Sequence, residues 1–151
     1  MKILVMGLPG SGKTWLASRI SKRYQIPFWD ADVVREVYQD FRFDLAGREY
    51  QALRMRKLAE LDDISISAFV CPLPGLVRHF FPDHIIWMDT IKESRYDDTN
   101  KLWQPPQNYS LRITKWIDEN QLFNSLEGIN LGTMGIQNFS NELIKRLAKC
   151  V

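Results

Sequence analysis

Short apolar runs alternate with longer amphipathic stretches along this chain, and the alternation sets out its elements. Lys2–Met6 is one lysine followed by a continuous apolar run, the pattern of a short strand buried on both faces. From about Lys13 to about Tyr24 the chain carries Trp15, Leu16, Ala17 and Ile20, and a helix is expected there. Residues 26–29 predict a second strand that ends at Asp30. Helices are expected over residues 33–41 and 45–61, and strands over 64–70 and 85–88. Beyond the Pro105-Pro106 break, residues 110–114 alternate as a fifth strand. Residues 138–149, with Leu143, Ile144 and Leu147 at helical spacing, predict a closing helix. Residues 116–137 carry no motif, and their polar stretch 118–121 reads as a solvated helix face. Strands alternating with helices imply an α/β, three-layer architecture with a mainly parallel five-stranded sheet covered on both faces.

Composition narrows the class. The length of 151 residues suits one domain over 1–151. A net charge of +2 is too mild for a nucleic-acid footprint but accommodates a small anionic ligand. Cys71 and Cys150 lie far apart and form no C-x-x-C pair, as expected of reduced thiols in a cytoplasmic protein. No apolar run reaches the length of a membrane span. The run through Met6 resembles the start of a signal peptide, but Gly7 and Pro9 interrupt it, so export is not expected. His79 and His84 have no partners at metal-ligand spacing.

The chemistry enters at Gly7-Leu8-Pro9-Gly10-Ser11-Gly12-Lys13-Thr14, which satisfies G-x-x-x-x-G-K-[ST]. It follows an apolar strand and opens an amphipathic helix, the setting this motif requires. Glycines let backbone N–H groups close around phosphate oxygens. The helix beginning at Lys13 aims its positive end at the same anion. Lys13 can reach the β- and γ-phosphates, and the Thr14 hydroxyl can ligate Mg²⁺. A P-loop NTPase/kinase fold with ATP·Mg²⁺ as ligand is the expectation.

The second strand ends in Trp29-Asp30-Ala31-Asp32-Val33-Val34-Arg35. Ligands in open α/β sheets sit beyond the carboxyl ends of the strands, so both carboxylates face the phosphate loop. Asp32 and Arg35 share a helix face. Asp32 can take a proton from an acceptor hydroxyl while Arg35 holds an anionic acceptor. The alternative is that Asp30 or Asp32 caps a helix and Arg35 sits in a surface ion pair. Asp89, after the fourth strand, is read either as a metal-holding acid or as an orienting or capping residue. Arg95, placed at a helix start following Asp89, is the candidate to neutralise the transferring phosphoryl group; a solvated charged face is the other reading. Trp103 either stacks on a nucleotide base or packs the proline-rich loop.

At these residues the chain resembles the adenylyl-sulfate (APS) kinases. That family follows its phosphate loop with D-G-D-N-V-R, against Asp30-Ala31-Asp32-Val33-Val34-Arg35 here. Its G-F-S and D-R-x-E-N-I-R-R are echoed by Arg42-Phe43-Asp44 and by Gly47-Arg48-Glu49-Tyr50-Gln51-Ala52-Leu53-Arg54. Its F-I-S-P falls at Phe69-Val70-Cys71-Pro72, and its V-D-T-P at Met88-Asp89-Thr90-Ile91. The lid segment R-D-x-K-G-L-Y is echoed by Asp97-Asp98-Thr99-Asn100-Lys101-Leu102-Trp103. The resemblance implies Asp32 as general base and Asp30 as a supporting carboxylate near the metal. It implies Arg35, Arg48 and Arg54 on the acceptor side, with Gln51, Val70 and Cys71 beside them.

Periodicity adds that Tyr50, Leu53, Leu58 and Leu61 form an apolar stripe with Arg54 inside it and Arg48 outside. Arg54 is therefore expected to meet either a substrate anion, an internal carboxylate, or water by snorkelling. The chain departs from the family at Val33, Gln51, Cys71 and Asp97. A short lid over about residues 95–108 passes directly into Gln104-Pro105-Pro106-Gln107 in place of the family's basic sequence. A polynucleotide 5′-hydroxyl kinase and an ATP-binding regulatory module remain as alternative readings.

Overall fold

The computed structural model describes residues 1–126 and 136–137. Lys2–Met6 (β1), Phe28–Asp30 (β2), Ser65–Ala68 (β3), His84–Met88 (β4) and Leu111–Ile113 (β5) form a parallel sheet in the order β2-β3-β1-β4-β5. A two-residue strand, Ile136–Gln137 (β6), adds to β5 in antiparallel fashion. The five parallel strands are those expected from the apolar runs; β6 lies in the stretch without a motif.

The sheet is buried because β1 alternates its side chains between two cores. Ile3 and Val5 face a cluster with Leu16, Ile20, Ile66, Ile86 and Leu111. Leu4 and Met6 face the opposite cluster, with Val34, Met55, Leu76 and Phe80. Lys13–Tyr24 (α1) and Glu119–Leu126 (α6) supply residues to the first. Ala31–Tyr38 (α2), Leu45–Ala59 (α3) and Pro74–Phe80 (α4) supply the second. Asp97–Leu102 (α5) follows β4 after an irregular segment.

Helix ends follow local chemistry. Asp30 caps α2, its carboxylate accepting from the Asp32 N–H. Asp44 caps α3 through the Gly47 N–H at 2.9 Å. Gln39, in the left-handed region at φ 51°, stops α2 three residues short of the expected end.

The expected stripe of α3 is displaced. Its buried face is Arg48, Gln51, Ala52, Met55 and Ala59, whereas Tyr50, Leu53 and Leu61 are exposed. The spacing of the buried set is helical, but two of its members are polar, so counting apolar residues alone selected the wrong side. Helix α4 was not expected because it is short; a proline occupies its first turn. The helix expected over 138–149, and Cys150, lie outside the described residues. Among the described residues, no helix is long and apolar enough to cross a membrane.

Candidate active site

The phosphate loop joins β1 to α1 and is built from close approaches. A Cβ on Gly7 would lie 2.6 Å from the Met88 carbonyl oxygen, so the loop passes against the end of β4. Gly12 sits at φ 96°, and a Cβ there would also meet the Trp116 ring at 2.7 Å. The Thr90 hydroxyl, just past β4, donates to the Ser11 carbonyl at 2.7 Å. Leu8 and Ser11 form the buried underside of the loop, while Pro9, Gly10, Gly12, Lys13 and Thr14 line a cleft of about 980 Å³.

Two cleft groups at the start of α1 have defined partners. The Lys13 ammonium donates to the Leu8 carbonyl at 3.0 Å. Burial pulls its pKa down to about 8, against the opposing pull of Asp32 and Asp30. The Thr14 hydroxyl donates to the Asp30 carboxylate at 2.6 Å. Asp30 is thus both the cap of α2 and the partner of Thr14, so the capping reading holds together with placement in the cleft. Asp32 is exposed in the same cleft, and its carboxylate makes no hydrogen bond or ion pair among the described residues.

Arg35 and Arg48 form another part of the cleft wall, only 6% and 7% exposed. Among the described residues neither forms a salt bridge to a buried carboxylate. Arg35 donates to the Asp40 and Arg42 carbonyls, both at 3.0 Å, and lies 4.3 Å from the centre of the Phe43 ring. Arg48 donates to the Phe43 carbonyl at 2.7 Å and reaches the exposed Asp98 at 3.7 Å. Burial lowers the pKa of both guanidinium groups. The wall is therefore a pair of desolvated cations held mainly by carbonyl oxygens, which favours an anion between them. Gln51, Val70 and Cys71 also line the cleft, and burial pushes the Cys71 thiol well above the ordinary cysteine range. Arg95 lines it too, stacked on Tyr96 at 5.0 Å, although it precedes α5 rather than starting a helix after Asp89.

Two expectations are corrected, at Arg54 and Asp89, and Trp103 takes its packing role. Arg54 does not line the cleft; it pairs with Asp40 at 3.0 Å, donates to Gln51, and packs on Tyr38 and Tyr50. The internal carboxylate is its partner. Asp89 does not line the cleft either: Lys92 holds one oxygen at 3.0 Å and Arg112 holds the other. A carboxylate occupied by two cations is poorly suited to a metal. Trp103 packs against the second core instead of the cleft.

The cleft also contains residues that sequence reasoning did not single out. Phe43 is half-exposed there, and Trp116 and Trp15 flank the phosphate loop. Phe43 matches the aromatic of the family's G-F-S; no local signal marks Trp116.

Among the described residues, no three or more His, Cys, Asp or Glu side chains cluster as a metal site. Magnesium bound with a nucleotide needs only one or two protein oxygens beside the phosphates. The adjacent Thr14 hydroxyl and Asp30 carboxylate fit that demand.

No protein-family model and no curated protein sequence matches the chain. Among solved structures it is similar to a gluconokinase from Sinorhizobium meliloti 1021, with TM-score 0.66 and 11% identity over 98% of this chain and 95% of that one. It is also similar to the Mycobacterium tuberculosis APS kinase CysC in complex with AMPPNP and APS, with TM-score 0.61, 20% identity, and coverage of 83% and 95%. A shikimate kinase from Aquifex aeolicus gives TM-score 0.61 and 18% identity over 87% and 99%. At these identities the likeness establishes the fold: an α/β P-loop kinase architecture.

Proposed function

We propose that this chain is an ATP-dependent small-molecule kinase, transferring the γ-phosphoryl group to a hydroxyl of an anionic, nucleotide-like acceptor. Adenylyl sulfate, phosphorylated at its 3′-hydroxyl, is the acceptor we put first. The observation that carries the reading is one cleft holding a phosphate loop, a carboxylate at Asp32 with no hydrogen bond or ion pair among the described residues, and two buried arginines.

In this reading the loop amides and Lys13 hold the β- and γ-phosphates. At neutral pH Lys13 is mostly protonated and can offset phosphoryl charge, as can Arg95 in the same cleft. The Trp116 ring beside Gly12 offers an aromatic surface for the nucleotide base. Thr14 and Asp30 would hold Mg²⁺, which supplies charge neutralisation on the phosphates. Asp32 accepts the proton of the acceptor hydroxyl. The acceptor oxygen then bonds to the γ-phosphorus while the bond from that phosphorus to the ADP oxygen breaks. Arg35 and Arg48 bind the acceptor's anionic group, and Phe43 offers its planar part an apolar face.

The test is ADP formation from ATP·Mg²⁺ with and without adenylyl sulfate, with products resolved by chromatography. A 3′-phosphorylated product supports both reaction and acceptor. ADP released only with gluconate, shikimate or a 5′-hydroxyl oligonucleotide would keep phosphoryl transfer and replace the acceptor. ATP binding without turnover on any of them would overturn the kinase reading in favour of a regulatory module.

A further inference from the structure

Asp40 is 8% exposed and does not line the cleft, yet it accepts hydrogen bonds from Arg35, Arg42 and Arg54. Its carboxylate accepts from Arg42 Nε at 2.8 Å, Arg42 Nη2 at 2.7 Å and Arg54 Nη2 at 3.0 Å. These bonds fold residues 40–43 back on themselves, against α3. A Cβ on Gly47 would lie 2.5 Å from the Arg42 carbonyl oxygen, so the loop and helix are in direct contact.

The folded loop turns its carbonyls inward. Those of Asp40 and Arg42 receive Arg35, and that of Phe43 receives Arg48. A second arm runs from Asp40 through Arg54 to Gln51, whose amide donates to the Ala31 carbonyl at 3.1 Å. Ala31 lies between Asp30 and Asp32. One buried carboxylate therefore braces both the arginine wall and the turn that presents Asp32.

Resting on the kinase reading above, we propose that Asp40 is the positioning residue of the acceptor end, holding Arg35 and Phe43 in register with Asp32 without touching the acceptor. Its hydrogen bonds to Arg42 and Arg54 hold its carboxyl well below the ordinary range. Asp40→Asn substitutes a neutral amide that presents N–H groups to arginine donors, loosening the loop. None of Asp40, Arg42 and Arg54 lines the cleft, so the Gly7–Thr14 contacts to nucleotide should stay intact.

The experiment compares wild type, Asp40→Asn and, should that variant fail to fold, Arg54→Gln, which cuts one arm. The expected result is a KM for adenylyl sulfate raised about tenfold or more, because small displacements of a binding group are costly. The KM for ATP should stay within about twofold. Equal rises in both constants, or no change in either, would overturn the proposal, since a purely structural role does not separate them. If wild type does not turn over adenylyl sulfate, the acceptor reading fails and this proposal is judged by NMR. The Arg35 side-chain N–H signals, assigned with Arg35→Lys, should exchange slowly in wild type and rapidly in Asp40→Asn. Slow exchange retained in the variant would overturn it.

Discussion

Lys13 shows how a single side chain takes its properties from the fold. Its ammonium is desolvated in the loop and holds a pKa near 8, below its ordinary 10.5. Between those values the unfolded chain binds the extra proton, so this group's contribution to stability rises with pH across the window. Nucleotide binding has the opposite sign. Phosphate favours the ammonium, so above pH 8 binding must take up a proton, and ATP affinity should weaken by up to about tenfold per pH unit. Calorimetric titration in buffers of different ionisation enthalpy reads both affinity and proton uptake; flat affinity to pH 9 would contradict this role. Lys13→Ala should abolish turnover while leaving the circular dichroism spectrum unchanged, because the lysine acts on phosphate charge rather than packing.

Helix α3 carries the lesson at the scale of an element. Its pattern reads as an apolar stripe through Tyr50 and Leu53, but the face against the sheet is Arg48, Gln51, Ala52, Met55 and Ala59. Amphipathic reasoning assumes that buried means apolar. Here two polar residues are buried because each has a partner: Gln51 meets the Ala31 carbonyl and Arg48 the Phe43 carbonyl. The corrected face is testable by paired truncations. Met55→Ala, at a fully buried position, should cost about 2–5 kcal/mol in denaturant unfolding. Leu53→Ala, at a position 42% exposed, should cost no more than about 1 kcal/mol. The reverse ranking would restore the stripe that the pattern suggests.

At the scale of the whole molecule, parallel pairing brings the carboxyl ends of β1, β2 and β3 to one rim, where the phosphate loop, Asp32 and residues 69–72 meet. The same register locks Asp89, at the end of β4, to Arg112 on the neighbouring β5. Asp89→Asn should therefore lower stability by about 1–3 kcal/mol, the cost of unpairing a buried hydrogen-bonded group. The magnesium dependence of ATP binding should not change; a large shift in it would return Asp89 to the metal. The phosphate loop, the five parallel strands and the Asp30–Arg35 turn were legible in the chain itself, because each depends on contacts between near neighbours: glycine backbone freedom, two- or 3.6-residue periodicity, a cap two residues from its donor. Arg54 facing Asp40, Asp89 facing Arg112, Trp116 against Gly12 and the buried side of α3 were decided only by tertiary structure. Local sequence supplies a charged or aromatic side chain, but its partner comes from another element or the far end of its own loop, and only the packed sheet and helices bring the two within bonding distance.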